Sequence, residues 1–439
     1  MSQSYPKSSL RPKRKISEEF TLKGATALGG YNLLADYLDS IGFSQVVSQG
    51  LQLKKAWWAN YPLASMVEML VEGFACGLER IFHFEAIAQD PLMTHKRGLQ
   101  RLPDHTLFNK DLKRFDSEER VDELRTIQRD LTRPALKRRR PWIFDFDSTV
   151  ETVYGEQEGS AVGYNPRKHG RPSYQPLLCY EGATGLCLNA QLQAGNTHSA
   201  GDAVHFLLET LAMYPGRKRL ARLDRGFDSH DVMESLEVSG CRYVLKLRLT
   251  QPLLAALATL SRRRWKRVPE EAGTEVAELR YRAGSWTRER RVVVRRRRLE
   301  DSAQEDFWGL EGYEFAAYVT TLRWAPVDIV RFYDHRGTAE NYIKESKAGF
   351  AIDHIPTGEF YPNWAALVLK LIAYNLLLRF QRALYPKAPV RRTAATFRRW
   401  FLRLPAQLIN RSGQWVLKLP EGFPHPTPWI RLRTKLAAT

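Results

Sequence analysis

The chain has 439 residues, 44% of them hydrophobic and 11% aromatic, enough to bury a core spread over more than one domain and too apolar for a disordered or fibrous protein. Lys and Arg number 67 against 48 Asp and Glu, a net charge of +19, so the molecule carries a positive field suited to polyanions, nucleic acid first and acidic membrane second. The scattered cysteines Cys76, Cys179, Cys187 and Cys241 form no CxxC pair, which argues against a disulfide framework or zinc knuckle and fits a reducing cytoplasm.

Residues 1–20 read as a basic mobile arm with a cluster at Arg11 to Lys15 and no apolar run suited to secretion. Residues 21–140 read as helical. Val121, Leu124, Ile127 and Leu131 recur at helical spacing behind Ser117, and Pro103 to Thr106 opens a shorter helix with Leu107, Phe108 and Leu112. Two short helices in a basic chain permit a helix-turn-helix near Asp104 to Arg114, a pattern that any helical bundle shares.

The pattern changes at Pro141. Residues 141–249 alternate short apolar runs with turns. Strands are predicted at Trp142 to Val150, Gln175 to Tyr180, Leu186 to Leu192, Arg219 to Leu223 and Arg242 to Leu247, with helices near 200–213 and 229–238. Gly182 to Gly185 suits a hairpin connection. This is a mixed α/β order. Residues 250–325 hold arginine runs at Arg262 to Arg264 and Arg295 to Arg298, interleaved with Trp265, Trp286, Trp308 and Trp324, and read as a β-rich insertion. Residues 326–390 carry helices near 327–348 and 363–385, and residues 391–439 read as a basic C-terminal tail. The apolar stretch Trp364 to Phe380 is interrupted by Lys370, Asn375 and Arg379, so it is expected to be a buried helix and not a membrane span.

Three places could do chemistry. Asp145 and Asp147 lie two apart on a strand and therefore share a face; such carboxylates need a metal, a cap or a cation beside them. Asp224 ends the apolar run Arg219 to Leu223 and is followed by Gly226, a strand-end position where α/β sheets present functional groups. Two aspartates at strand ends suit Mg²⁺. In the segment from Tyr333 to Lys347, Arg336, Glu340 and Lys347 stand 3, 7 and 14 residues beyond Tyr333, within about 40° of one another if one helix runs through. A carboxylate between cations on one stripe can bind a metal while the cations hold phosphates.

Asp147, Asp224 and Glu340, with Tyr333-x2-Arg336-x3-Glu340-x6-Lys347, resemble the DDE transposases of bacterial insertion sequences, in the subgroup marked by a Tyr-Arg-Glu-Lys signature. Val153 to Gly159 and Gly163-Tyr164-Asn165 resemble one branch of it. The resemblance covers about residues 140–385. It implies an RNase H-like mixed-sheet core interrupted by a β-rich insertion, preceded by a helical DNA-binding domain; the 115 residues between Asp224 and Glu340 leave room for the insertion. It further implies two Mg²⁺ ions, replaceable by Mn²⁺, on Asp147, Asp224 and Glu340, and DNA contacts by Tyr333, Arg336, Lys347, Lys344, Arg225 and Trp324. The reaction implied is cleavage at the element's terminal inverted repeats and strand transfer into target DNA, by a homodimer on paired ends, in the bacterial cytoplasm at the nucleoid and without a membrane. For Trp324, packing in the core is the competing explanation. A haloacid-dehalogenase-like phosphatase is the rival reading of Asp145-Phe146-Asp147-Ser148-Thr149, with Asp145 as nucleophile; it leaves the charge and the Tyr333 stripe unexplained.

Overall fold

Apolar residues at helical spacing build six helices before the first long strand: α1 (Tyr31–Ser40), α2 (Phe43–Gly50), α3 (Leu63–Cys76), α4 (Pro91–Arg97), α5 (His105–Leu112) and α6 (Glu118–Thr132), behind a two-residue strand β1 (Ala25–Thr26). Asp90 and Asp104 cap α4 and α5, accepting backbone N–H bonds from the first turns. The computed structural model describes residues 16–136, 140–166, 168–197, 199–216, 218–298, 312–386 and 391–438. The cluster Arg11 to Lys15, most of the run Lys137 to Arg140 and Trp308 lie outside the described residues.

Beyond Pro141 the chain forms β2 (Trp142–Ser148), the short strands β3 (Glu151–Thr152), β4 (Ala161–Val162) and β5 (Pro172–Tyr174), then β6 (Leu177–Glu181), β7 (Cys187–Gln191), α7 (Ser199–Met213), β8 (Arg219–Leu223), α8 (His230–Val238) and β9 (Arg242–Lys246). There follow α9 (Gln251–Ala258), β10 (Lys266–Arg267), β11 (Thr274–Tyr281), β12 (Arg290–Arg298), β13 (Tyr313–Thr320), α10 (Pro326–Asp334), α11 (Gly337–Phe350), α12 (Phe360–Leu384), α13 (Ala394–Phe401), β14 (Ala406–Arg411), β15 (Gln414–Lys418) and α14 (Pro426–Ala437). One mixed sheet of nine strands runs β10-β11-β12-β13-β9-β8-β2-β6-β7, while β3-β5-β4 form a small separate sheet. Only the β2·β8 and β8·β9 pairings of the large sheet are parallel.

Residues 250–325 are less separate than an insertion domain would be. β13 pairs antiparallel with β9, Tyr318 opposite Lys246 and Thr320 opposite Val244, so the insertion continues the central sheet. The edge of β9 presents backbone donors and acceptors that need partners, and β13 supplies them. The C-terminal segment also departs from expectation. It is no tail: β14 and β15 form a hairpin whose inner strand pairs with β1, Ala25 opposite Gln407, and Phe397, Phe401, Trp429 and Leu432 are buried with the N-terminal helices in one core running from Leu28 to Leu432.

α12 is the axis of that core. It packs against α3 and α6 and against β7 and α11, and 94% of its most apolar 18-residue window is buried. A helix apolar on every side belongs inside a protein when it is enclosed like this. The buried helix expected at Trp364 to Phe380 is therefore found. α7 lies against β6 and β7, with Phe206 edge-on to Phe146.

The helix-turn-helix expectation meets a difficulty at α6. That helix is wedged among α2, α12 and β7, and Glu119, Asp122, Glu123 and Asp130 line the shallow surface depression beside it. An acidic outer face repels phosphate, so α6 is unsuited to lie in a DNA groove.

Candidate active site

β2 runs inside the large sheet between β6 and β8, with its Phe144 and Phe146 wholly buried. Its two aspartates have different partners. Asp145 is wholly buried and takes a two-pronged bond from Arg222 of β8, Nε to Oδ1 at 2.5 Å and Nη2 to Oδ2 at 2.6 Å. A carboxylate enclosed in this way cannot serve as an exposed nucleophile, which removes the basis of the phosphatase reading. Asp147, two residues on, reaches the groove; its Oδ1 accepts from the Ser148 N–H at 2.9 Å and pairs with Arg336 Nη2 at 3.0 Å. Burial pushes the Asp147 carboxyl up to about 6; Arg336 opposes this, and the charges of Asp224 and Glu340 add to it.

Asp224 stands just past the end of β8 and its Oδ1 accepts from the Gly226 N–H at 2.8 Å. Asp147 and Asp224 line the same groove of about 1160 Å³. In each aspartate a backbone N–H engages Oδ1, which leaves Oδ2 to offer a cation. Glu340 is exposed on the first turn of α11; it does not line that groove, but its charge reaches Asp147. Among the described residues no three acidic, histidine or cysteine side chains converge tightly enough to enclose one ion. The donor set is nevertheless all oxygen, which fits a hard divalent cation.

The stripe from Tyr333 to Lys347 does not lie on one unbroken helix. α10 ends at Asp334 and α11 begins at Gly337, with His335 and Arg336 between them. Arg336 is buried at the bend, bound to Asp147 and to the Phe146 carbonyl at 3.3 Å. Lys347 lines the groove and donates to the Val150 carbonyl at 3.0 Å. Tyr333 packs on Tyr318, ring centres 4.7 Å apart, with 8% of its surface exposed; packing by itself explains an aromatic on this stripe. Arg225 is exposed on the groove wall beside Arg248 and Lys168. Lys344 is exposed on α11. Trp324 lies edge-on to Phe332 at 5.2 Å and is 36% exposed, whereas Trp265 and Trp286 are buried.

Several groove residues escaped sequence reasoning. Gly163-Tyr164-Asn165 was flagged only as a pattern. In the structure Asn165 donates to Thr152 Oγ1 and accepts from the Lys168 N–H, while a Cβ on Gly163 would stand 1.8 Å from the Gly195 carbonyl oxygen. The motif thus packs one loop against another and fixes the groove wall that displays Tyr164 and Lys168. Glu151, buried on the groove floor with Oε1 unpartnered among the described residues, gave no local signal.

Among solved structures, the piggyBac transposase in a synaptic complex with hairpin DNA, determined by electron cryomicroscopy, is similar to this chain at 11% identity and a TM-score of 0.45, covering 84% of this chain and 78% of that one. No curated protein matches the sequence. The family model described as Transposase DDE domain group 1 matches residues 8–439, nearly the whole length. The chain therefore belongs to the DDE transposase family and is a DNA transposase.

Proposed function

We propose that Asp147, Asp224 and Glu340 are the acidic triad of this transposase, and that they hold two Mg²⁺ ions, or Mn²⁺ in their place. The observation that carries the reading is geometric: Asp147 and Asp224, from the ends of neighbouring strands, line one groove, and the charge of Glu340 reaches Asp147. Carboxylate oxygens gathered in this way suit hard divalent cations. When bound, they supply activation of the attacking oxygen and stabilisation of the leaving 3′ oxygen.

The chain's own residues do the remainder. Arg336, bonded to Asp147 Oδ1 and to the Phe146 carbonyl, orients that carboxylate and places a fixed positive charge behind the phosphate site. Lys347, Arg225 and Lys344 track the DNA backbone, while the exposed edge of Trp324 braces the DNA terminus, with Tyr333 packed beneath on Tyr318. The strand series β7-β6-β2-β8-β9, three antiparallel strands followed by two parallel ones, supports an RNase H-like core, and the Tyr333-Arg336-Glu340-Lys347 spacing supports the insertion-sequence subgroup. On this reading the enzyme cleaves DNA at the terminal inverted repeats of a bacterial element and joins the freed 3′ ends to target DNA, as a homodimer on paired ends at the nucleoid. The N-terminal region contributes DNA contacts through surfaces other than α6.

The test is cleavage of end DNA by the full chain. Asp147→Ala, Asp224→Ala and Glu340→Ala are each expected to abolish Mg²⁺-dependent cleavage while DNA binding survives. Full cleavage by Asp147→Ala would overturn the assignment.

A further inference from the structure

We propose that Asp145 and Arg222 form a positioning clamp that sets the relative placement of Asp147, Asp224 and Glu340, and through it the affinity of the site for divalent cations. The inference rests on the triad assigned above. Asp145 and Arg222 stand opposite one another in the parallel β2·β8 pairing. Asp147 follows two residues after Asp145 on the same face of β2, and Asp224 follows two residues after Arg222, just past the end of β8. Locking the Asp145–Arg222 pair therefore locks the heights of the two aspartates, and a slip of one residue would turn one of them to the opposite face.

The third arm of the clamp reaches the helices. Arg222 Nη1 donates to the Phe332 carbonyl at 2.9 Å, and the guanidinium lies 5.1 Å from the Phe332 ring centre. At the end of α10 the Arg331 and Tyr333 carbonyls accept from the His335 and Arg336 N–H groups; Phe332 is satisfied from outside, by Arg222. The last carbonyls of a helix need such partners. The bond holds the end of α10 just ahead of the bend that places Arg336 on Asp147 and starts the helix bearing Glu340. One guanidinium thus ties all three acidic positions together.

Holding the strands alone does not require a charge here. The pair is almost wholly buried, and a well-packed apolar pair in such a place stabilises about as well. What an apolar pair cannot do is grip three oxygens in two directions, and a lysine cannot do so as a fork. The hairpin after β6 is shaped to the clamp: a Cβ on Gly182 would come within 2.5 Å of Arg222 Nη2 and 2.7 Å of Asp145 Oδ2.

The test uses the full-length protein carrying Arg222→Lys, and separately the apolar pair Asp145→Leu with Arg222→Met. Mn²⁺ binding is followed by electron paramagnetic resonance, alongside thermal unfolding and the Mg²⁺ concentration for half-maximal cleavage of end DNA. Both proteins are expected to bind Mn²⁺ about 10-fold or more weakly, as changes behind metal ligands do, with half-saturating Mg²⁺ raised in proportion and cleavage recovering in excess metal. Arg125→Lys, a change to a buried arginine bonded to Asn189, is the control and is expected to lower the unfolding temperature without moving the metal response. If the apolar pair does not fold, Arg222→Lys decides. A folded Arg222→Lys protein with wild-type Mn²⁺ affinity overturns the clamp. Asp224→Ala, run in parallel, separates the two claims: Mn²⁺ affinity unchanged in that variant would sink the triad itself.

Discussion

Strand β12 and the groove wall both display arginine, but to different ends. β12 carries six arginines in nine residues, and most are matched across neighbouring elements: Arg290 with Glu237, Arg291 with Glu278, Arg295 with Asp334, Arg296 with Glu275 and Arg297 with Glu314. Arg296 also covers the face of Trp265. On the groove wall, Arg225 and Arg248 make no ion pair among the described residues and face the site. In sequence, a run of arginines interleaved with tryptophans suits a grip on distorted DNA. The structure corrects this for β12, where carboxylates on adjoining elements pair with five of its six arginines and Trp265 and Trp286 pack inward. Net charge announces a polyanion; cations that no carboxylate pairs with mark the surface best suited to it.

The contrast can be broken by mutation. Arg290→Ala would leave Glu237 without its more buried arginine and is expected to destabilise the fold by about 3 kcal/mol, read as a shifted denaturant midpoint, while the dependence of DNA affinity on salt stays as it was. A normal midpoint with weakened DNA binding would show that β12 is a DNA surface after all. Arg225→Ala combined with Arg248→Ala should do the reverse: unfolding unchanged, DNA affinity down roughly 10-fold at moderate salt, and the slope of log K against log salt shallower by about 2. An unaltered slope would mean that phosphates pass elsewhere. The smallest effect is expected at Glu151, a carboxylate set in the same groove. Burial pushes its carboxyl from the ordinary 4.5 up to about 8, with Lys347 opposing. The folded chain keeps a proton that the unfolded chain gives up, so this contribution to stability is complete below about pH 4.5 and is lost as pH rises through 8. Glu151→Gln should therefore flatten the decline between pH 5 and pH 8. Denaturant midpoints at the two pH values decide, and parallel wild-type and variant curves would show that Glu151 is charged throughout.

Local features of this fold were legible because their causes are local. The glycines of the turn from Gly182 to Gly185, the alternation along Trp142 to Ser148 and the apolar run ending at Asp224 each act within a few residues, and the strands stand close to where those patterns put them. The spacing from Tyr333 to Lys347 also led to the site, although the chain bends at His335 and Arg336 where one helix was assumed. What stayed hidden depends on partners far along the chain. Asp145 looked like a spare acid until Arg222 was seen beside it. The pairing of β13 with β9 and of β14 with β1 has no signature in either strand alone, since any edge with open backbone groups accepts any strand that reaches it.

The pairing of β1 with β14 has a consequence during synthesis. The ribosome releases Ala25 and Thr26 long before Ala406 and Gln407, their partners in the sheet, and the apolar faces of α3 and α6 must wait for α12. The N-terminal third therefore cannot finish folding until nearly the whole polypeptide has emerged. A gene copy interrupted near its 3′ end is expected to yield an aggregating chain that proteases clear, and not a shortened protein that occupies the DNA ends and blocks the intact enzyme.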